Sequence, residues 1–375
     1  MTQDPNACER DETECSSAEI FPYDPRPKLG RERDAFLRLD PSGFYIRHPP
    51  PPHELDTYIT PDDKLFQTIH MGAAVIDPTL YNIVIDGLVS RPYTVTLSEL
   101  QAMPQSSITA FHECYGSPLK PPTEACRRVG NVAWTGVKLS HMLSLAGLPL
   151  STDDLFVWSS GLDRGTFAGV HADRYRKDIP MTKALSSEVL VAYEMNGEPL
   201  RKKRGGPARL VVPGYFGTNS TKWLCRLEVR AERAPGPYTT TFYNERDPDD
   251  PSGKATRPVW GVDVNSIIVR PKPGEIVQGP KLPVEGWAWS EFGVSSLSVS
   301  SDGGMSSNSA TVCSRVEFGW QRFETMLRLE PGRHSIVARA TCVSGRVQPL
   351  EGRRNHVHRV EVHVNRTDPD HLATG

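Results

Sequence analysis

From about residue 257 onward the sequence is a succession of short strand-like runs: VNSIIVRP, LPVEGWAWS, VSSLSVSSDGG, HSIVARATC and HRVEVHVN, each closed by Gly, Pro or Asp turns. Strands of this length bury an alternating apolar face only against another sheet, so a small antiparallel β-sandwich is expected over 257–367. The stretch before it, YTTTFYNERDPDDPSGKATRP, is polar and rich in turn formers. It reads as a linker, placed at 246–256.

A chain of 375 residues exceeds what one hydrophobic core usually serves, so a second domain is expected ahead of the linker. Over 44–245 the signals mix. YNIVIDG alternates like a strand and ends in an Asp-Gly turn. LSELQAM reads as a short helix with Ser98 near its cap. LSHMLSLAGL places Leu139, Met142, Leu143 and Ala146 at helical spacing and stops at Gly147. EVLVAY, ARLVVPG and KWLCRLEVR look like buried strands. The class is α+β with strands in excess. Residues 1–43 are polar and charged and read as a flexible arm, and 368–375 as a tail. Four consecutive prolines at 49–52 impose an extended path, and packed structure is expected to begin near Thr60.

The formal charge of −2 argues against a dedicated nucleic-acid surface. No apolar run reaches the length of a membrane span. The acidic N-terminus resembles neither a secretory signal nor a mitochondrial transit peptide, so the default location is cytoplasmic. Seven cysteines stand at 8, 15, 114, 126, 225, 313 and 342, with no CxxC pair. That speaks against a zinc ribbon or a redox dithiol.

Cys114 ends an apolar run and opens a Gly/Pro loop in TAFHECYGSPLKPP. A thiolate so placed can be presented into a cavity and suits soft or high-valent metals. A plain buried cysteine beside a turn fits the same residues. In RKKRGGPARLVVPGYFGTNSTKW, Arg204, Arg209 and Lys222 flank four glycines. Glycines let backbone N–H groups approach an anion while guanidinium and ammonium groups neutralise it. A solvated basic hairpin is the simpler alternative. The order Thr-Lys excludes a P-loop. His70 follows an apolar run, where a core histidine is the plainer reading. Tyr243 sits in the linker, where aromatics often just pack, although linkers also border active-site clefts.

Together the segments HECYG (112–116), GNVAWTGVKL (130–139), VAYEMNGEPL (191–200), ARLVVPGYFG (208–217), TKWL (221–224) and EGWAWS followed by SSDGG (285–304) resemble the sulfite oxidase family of molybdenum enzymes. The resemblance covers roughly residues 44–365. It implies a mixed α/β molybdopterin-binding domain followed by an immunoglobulin-like domain that forms a homodimer. It places Cys114 on the molybdenum-ligating cysteine. Arg209 and Lys222 fall on the cations that hold the pterin phosphate. Arg204 stands where a histidine is more usual. His70 and Asp163 fall on pterin contacts, and Tyr243 on the active-site tyrosine.

The resemblance also has gaps. Members of the family surround their small dianionic substrate with arginines. This chain has Thr68 at one such position, CYGSPLKPP at a second and VQPLEGRRNH, around Leu350, at a third. Arg47, Lys120, Arg127, Arg128, Arg353 and Arg354 are the available substitutes. No haem or flavin domain is recognisable, and HPPPPHEL is no haem motif. Electrons are therefore expected to leave to dioxygen or a separate carrier. The expected activity is oxygen-atom transfer, with sulfite oxidised to sulfate. The alternatives are another S- or N-centred small molecule on the same cofactor, and a cofactor-free binding protein that kept the fold.

Overall fold

The computed structural model describes residues 35–117, 126–247 and 250–365. Strands dominate and helices are short. The N-terminal half is built on two five-stranded sheets. One orders Arg176–Pro180, Phe156–Gly161, Leu224–Arg230, Asn82–Gly87 and Tyr93–Thr96, with a single parallel pair between the third and fourth. The other runs Glu198–Pro199, Leu190–Met195, Val129–Lys138 and Gln105–Glu113, and Arg209–Val211 also pairs with Leu190–Met195. Helix Leu139–Ala146 packs where its spacing predicts: Leu139, Met142, Leu143 and Ala146 are all buried in the core between the sheets. It ends at Gly147, whose φ of 71° favours glycine.

Helix Leu97–Ala102 is capped by Thr96, two residues from Ser98: Thr96 and Glu99 form a reciprocal capping box. One local expectation is corrected: packed structure begins well before Thr60. Phe36–Ser42, inside the segment read as a flexible arm, pairs antiparallel with Gly72–Ile76. Arg38 and Asp40 are half-buried, while Phe36 and Leu39 pack with Leu162, Trp223 and Cys225. Residues 1–34 of that arm lie outside the described residues. The prolines lead into a single 3-10 turn, Pro52–Glu54, and Leu55 behind it is buried. The polar linker is partly ordered as a ribbon, Asn244–Arg246 against Thr256–Pro258.

The C-terminal half is an eight-stranded arrangement in the order Asn265–Arg270, Lys281–Trp289, Gln321–Arg328, Asn308–Val312, Val294–Ser300, Gly332–Cys342, Arg359–Asn365 and Glu275–Gln278. Asn308–Val312 pairs with neighbours on both sides and forms the seam between the two faces. Between them lies one apolar core that includes Ile268, Val284, Phe323, Val299, Ile336 and Val362.

The halves meet through tryptophans. Trp287 and Trp320 stack at 4.8 Å with planes 6° apart. The indole N–H groups of Trp287 and Trp320 donate to the carbonyls of Leu55 and Tyr58. Trp289 donates to the carboxylate of Glu113 at 2.8 Å. Buried indoles need such partners. This joint fixes the end of the strand that leads into Cys114. Among the described residues no helix is long and apolar enough to cross a membrane.

Candidate active site

Cys114 follows directly on strand Gln105–Glu113. Its N–H donates to the Arg128 carbonyl at 2.9 Å, which extends the pairing of Glu113 with Val129 by one step. The sulfur is left lining a cavity shared with Thr68, His70, Lys222 and Tyr243. Around it stand the Gly116 N–H at 3.4 Å, Thr68 Oγ1 at 3.9 Å and Arg128 Nη1 at 3.8 Å.

The turn from Arg204 to Lys222 forms another wall. Gly205 has φ of +96°, and a Cβ there would come within 2.7 Å of the Lys222 side chain. Only glycine lets this loop cross so close to the lysine stem. Lys222 Nζ donates to the Thr68 carbonyl at 2.7 Å. Arg209 is buried against the Trp134 ring and donates to the carbonyls of Arg204 and Ser220, each at 3.0 Å. Burial is the main cause for both groups, followed by the Arg204 charge for Arg209 and by the Arg209 and Arg204 charges for Lys222: the pKa of Arg209 falls to about 9 and that of Lys222 to about 7. Asp62 answers Arg204. Asp163 lies nearby with a buried Oδ1 that has no hydrogen-bond partner, and burial pushes its carboxyl up to about 7. This wall holds more positive charge than its acids balance, which is the environment a buried phosphate dianion requires.

Arg204 behaves differently from its two neighbours. Its guanidinium donates to the Asp62 carboxylate and to the carbonyls of Asp62, Leu65 and Phe66. Most of its donors hold the 62–66 loop in place, and it faces the cavity as scaffold as much as charge.

His70 and Tyr243 close the third side. Nε2 of His70 lies 2.7 Å from the Tyr243 hydroxyl. Phe167 meets the imidazole edge-on at 4.7 Å, and Tyr175 stacks on it at 5.6 Å. Burial, helped by Lys222, pushes His70 down to about 3, so its ring is neutral near pH 7. Burial also raises Tyr243 well above the usual phenol range, which keeps it a hydrogen-bond donor.

All seven residues singled out from the sequence, Cys114, Tyr243, His70, Asp163, Arg204, Arg209 and Lys222, line this one cavity. His112, Tyr175 and Thr218 line it too and were not singled out. His112 stacks on Phe66 at 5.5 Å, and Gly217 leaves room for its ring. A period of two along the strand puts His112 on the side of Cys114, a signal present in HECYG. Among the described residues no three His, Cys, Asp or Glu side chains are grouped to hold a metal ion. A metal at Cys114 therefore needs most of its ligands from a cofactor.

Comparison with known proteins agrees with this geometry. Residues 70–238 match the family model described as the oxidoreductase molybdopterin binding domain. The chain is 30% identical over 341 residues to chicken (Gallus gallus) sulfite oxidase, covering 84% of this chain and 73% of that one. It is 29% identical over 342 residues to mitochondrial sulfite oxidase of Mus musculus, again over 84% of this chain. It spans 62% of the length of that mouse protein. Among solved structures, the sulfane dehydrogenase SoxCD of Paracoccus pantotrophus superposes with a TM-score of 0.71 at 27% identity, covering 82% of each chain.

Proposed function

This chain belongs to the sulfite oxidase family of molybdopterin-dependent oxidoreductases, and from that premise we propose that it oxidises sulfite to sulfate. The observation that carries the proposal is that one cavity brings together the Cys114 sulfur and buried, under-balanced cations. Arg209 and Lys222 would hold the pterin phosphate, with His70 and Asp163 along the pterin, and Cys114 would bind molybdenum. When bound, that cofactor supplies the two-electron redox chemistry and the transferable oxygen.

The chain's own residues supply position and charge. Cys114 is fixed by its hydrogen bond to the Arg128 carbonyl and by the Glu113 anchor behind it. Tyr243 stays protonated and, aligned by His70, donates a hydrogen bond toward the reacting oxygen. Phe167, Tyr238 and Tyr175 surround His70 and shield this corner from water. In the net reaction sulfite gains one oxygen atom from water and releases two electrons and two protons. The two electrons leave the site for an acceptor. The C-terminal unit would serve as the immunoglobulin-like dimerisation domain.

A second reading keeps the cofactor and changes the substrate to another small S- or N-centred molecule. It is favoured by Thr68, a neutral side chain 3.9 Å from the Cys114 sulfur where a cation would suit a dianion better. A cofactor-free binding protein would have no use for the buried cation wall.

The test is molybdenum and pterin content of the purified protein, then reduction by sulfite followed through the thiolate-to-molybdenum absorption. About one molybdenum per chain with bleaching by sulfite supports sulfite oxidation. Molybdenum unmoved by sulfite moves the assignment to the second reading. Cys114→Ser should fold but lose that absorption and turn over poorly, and full activity in this variant would refute the ligand assignment.

A further inference from the structure

Six cations were available to replace the missing substrate arginines, and the structure separates them. Arg47 is tied to the carbonyls of Asp62 and Leu65. Arg127 is buried and donates to the carbonyls of Arg354 and His356. Arg354 lies on the Tyr115 ring, 3.4 Å from its centre, and donates to the carbonyls of Tyr115 and Ser117. Arg353 is exposed. Lys120 is outside the described residues. Arg128 alone of the described candidates points a guanidinium nitrogen at the Cys114 sulfur, at 3.8 Å.

Its placement is built rather than incidental. Arg128 sits opposite Cys114 at the end of the strand pair, and its carbonyl receives the Cys114 N–H. Its own N–H donates to Ser117 Oγ at 2.9 Å, so both ends of the Cys114–Ser117 turn are clasped to it. Gly116 makes the room: a Cβ there would meet Arg128 Nη1 at 2.7 Å and the Cys114 sulfur at 3.6 Å. The Arg128 charge acts on both His48 and Tyr243. Its Nε is buried and has no hydrogen-bond partner. A planar guanidinium with unused donors beside a reactive centre is suited to grip an oxyanion in two-point fashion.

We infer that Arg128 is the specificity-determining residue of this chain, the guanidinium that meets the anionic oxygens of the substrate beside Cys114. The inference rests on the assignment of the reacting centre to Cys114 and narrows the substrate class to small oxyanions. With Thr68 neutral and the other described candidates committed to carbonyls or exposed, recognition falls on one cation.

The experiment is calorimetric titration of the cofactor-loaded protein with sulfate, the product of the proposed reaction, alongside sulfite kinetics. Arg128→Met should weaken sulfate binding at least about tenfold and raise KM for sulfite far more than it lowers kcat. Arg128→Lys, which keeps the charge but not the fork, should recover part of the loss and serves as the test if the methionine variant fails to load cofactor. Arg353→Ala should bind sulfate like wild type. Sulfate binding unchanged in both Arg128 variants, absent in wild type, or lost in Arg353→Ala would overturn the inference. The two assignments fail separately. Wild-type protein that binds sulfate through Arg128 yet is not reduced by sulfite keeps the anion site and refutes sulfite oxidation. Sulfite turnover indifferent to Arg128 does the reverse.

Discussion

The hydroxyl of Tyr243 lies 2.7 Å from Nε2 of His70 although the two residues are 173 positions apart in the chain. Both groups are held in their neutral forms by burial, His70 because its cation is disfavoured and Tyr243 because its anion is. The pair is therefore a fixed dipole at neutral pH, not a titrating couple. Tyr243→Phe should retain molybdenum and lower kcat about a hundredfold to a thousandfold, the scale of one lost donor to a reacting oxygen. Steady-state kinetics on matched cofactor content checks this. Activity within twofold of wild type would remove Tyr243 from the reaction.

Lys222 and Arg209 repel each other inside the same wall, and that repulsion has opposite consequences with and without cofactor. Replacing Lys222 by Met should cut molybdopterin content by about tenfold or more, because a charge-assisted contact to the phosphate is lost. The cofactor-free variant should be no less stable than cofactor-free wild type. The pH dependence gives an independent sign. The Lys222 ammonium falls from an ordinary 10.5 to about 7 on folding. Between those values the unfolded chain keeps the proton and the folded chain sheds it, so this group makes stability rise with pH from about 7 to about 10.5. Thermal unfolding of the cofactor-free proteins across that window should show a shallower rise in Lys222→Met. Equal slopes would mean that Lys222 is solvated there.

How much of this was legible beforehand depended on the range of the interactions. Helix Leu139–Ala146 and the strand-rich texture are local signals, and both appear as expected. The cavity residues were found because motifs carried them, yet their work was visible only in three dimensions. Arg204 illustrates the gap: its partners Asp62, Leu65 and Phe66 lie about 140 positions upstream, so its role as a loop clamp leaves no mark near position 204. Phe36–Ser42 reads as arm because Arg38 and Asp40 break up its two buried residues, Phe36 and Leu39, and its partner strand begins only at Gly72. Arg128 could not be told from Arg127 by sequence, since adjacent residues on a strand face opposite ways and register decides which reaches the sulfur.

Glu113 is a buried carboxyl one residue from Cys114 that accepts from Trp289 Nε1 at 2.8 Å and Asn265 Nδ2 at 3.2 Å, both in the C-terminal half. Burial raises its pKa above the usual carboxylate range, with Arg127 the main opposing influence. Glu113→Ala should cost about 2–3 kcal/mol, because two buried donors lose their acceptor. Glu113→Gln keeps one acceptor oxygen and should cost about 1 kcal/mol or less. Urea unfolding measures both. If the alanine variant is as stable as wild type, the joint between the halves does not run through this carboxylate. If it is destabilised with normal molybdenum content but a shifted thiolate-to-molybdenum band, the joint also sets the position of Cys114.

Gly205 offers the sharpest separation of fold from cofactor binding. Its φ of +96° is costly for any residue with a Cβ, by roughly 1–2 kcal/mol. The added methyl of Gly205→Ala would also stand 2.7 Å from Cβ and Cγ of Lys222 and 3.0 Å from its Cα. Those atoms are the root of the side chain, so they move only if the backbone moves, and the ammonium moves with them. The effect should therefore exceed that of a strained turn alone: a modest fall in thermal stability together with a loss of molybdopterin approaching that of Lys222→Met. Gly197→Ala is the matched control, with φ of +82° but no atom within 4 Å of the added methyl. It should lower stability by a similar amount and leave cofactor content intact. Equal cofactor content in the two alanine variants would show that the phosphate wall does not depend on how closely the 205 loop crosses Lys222.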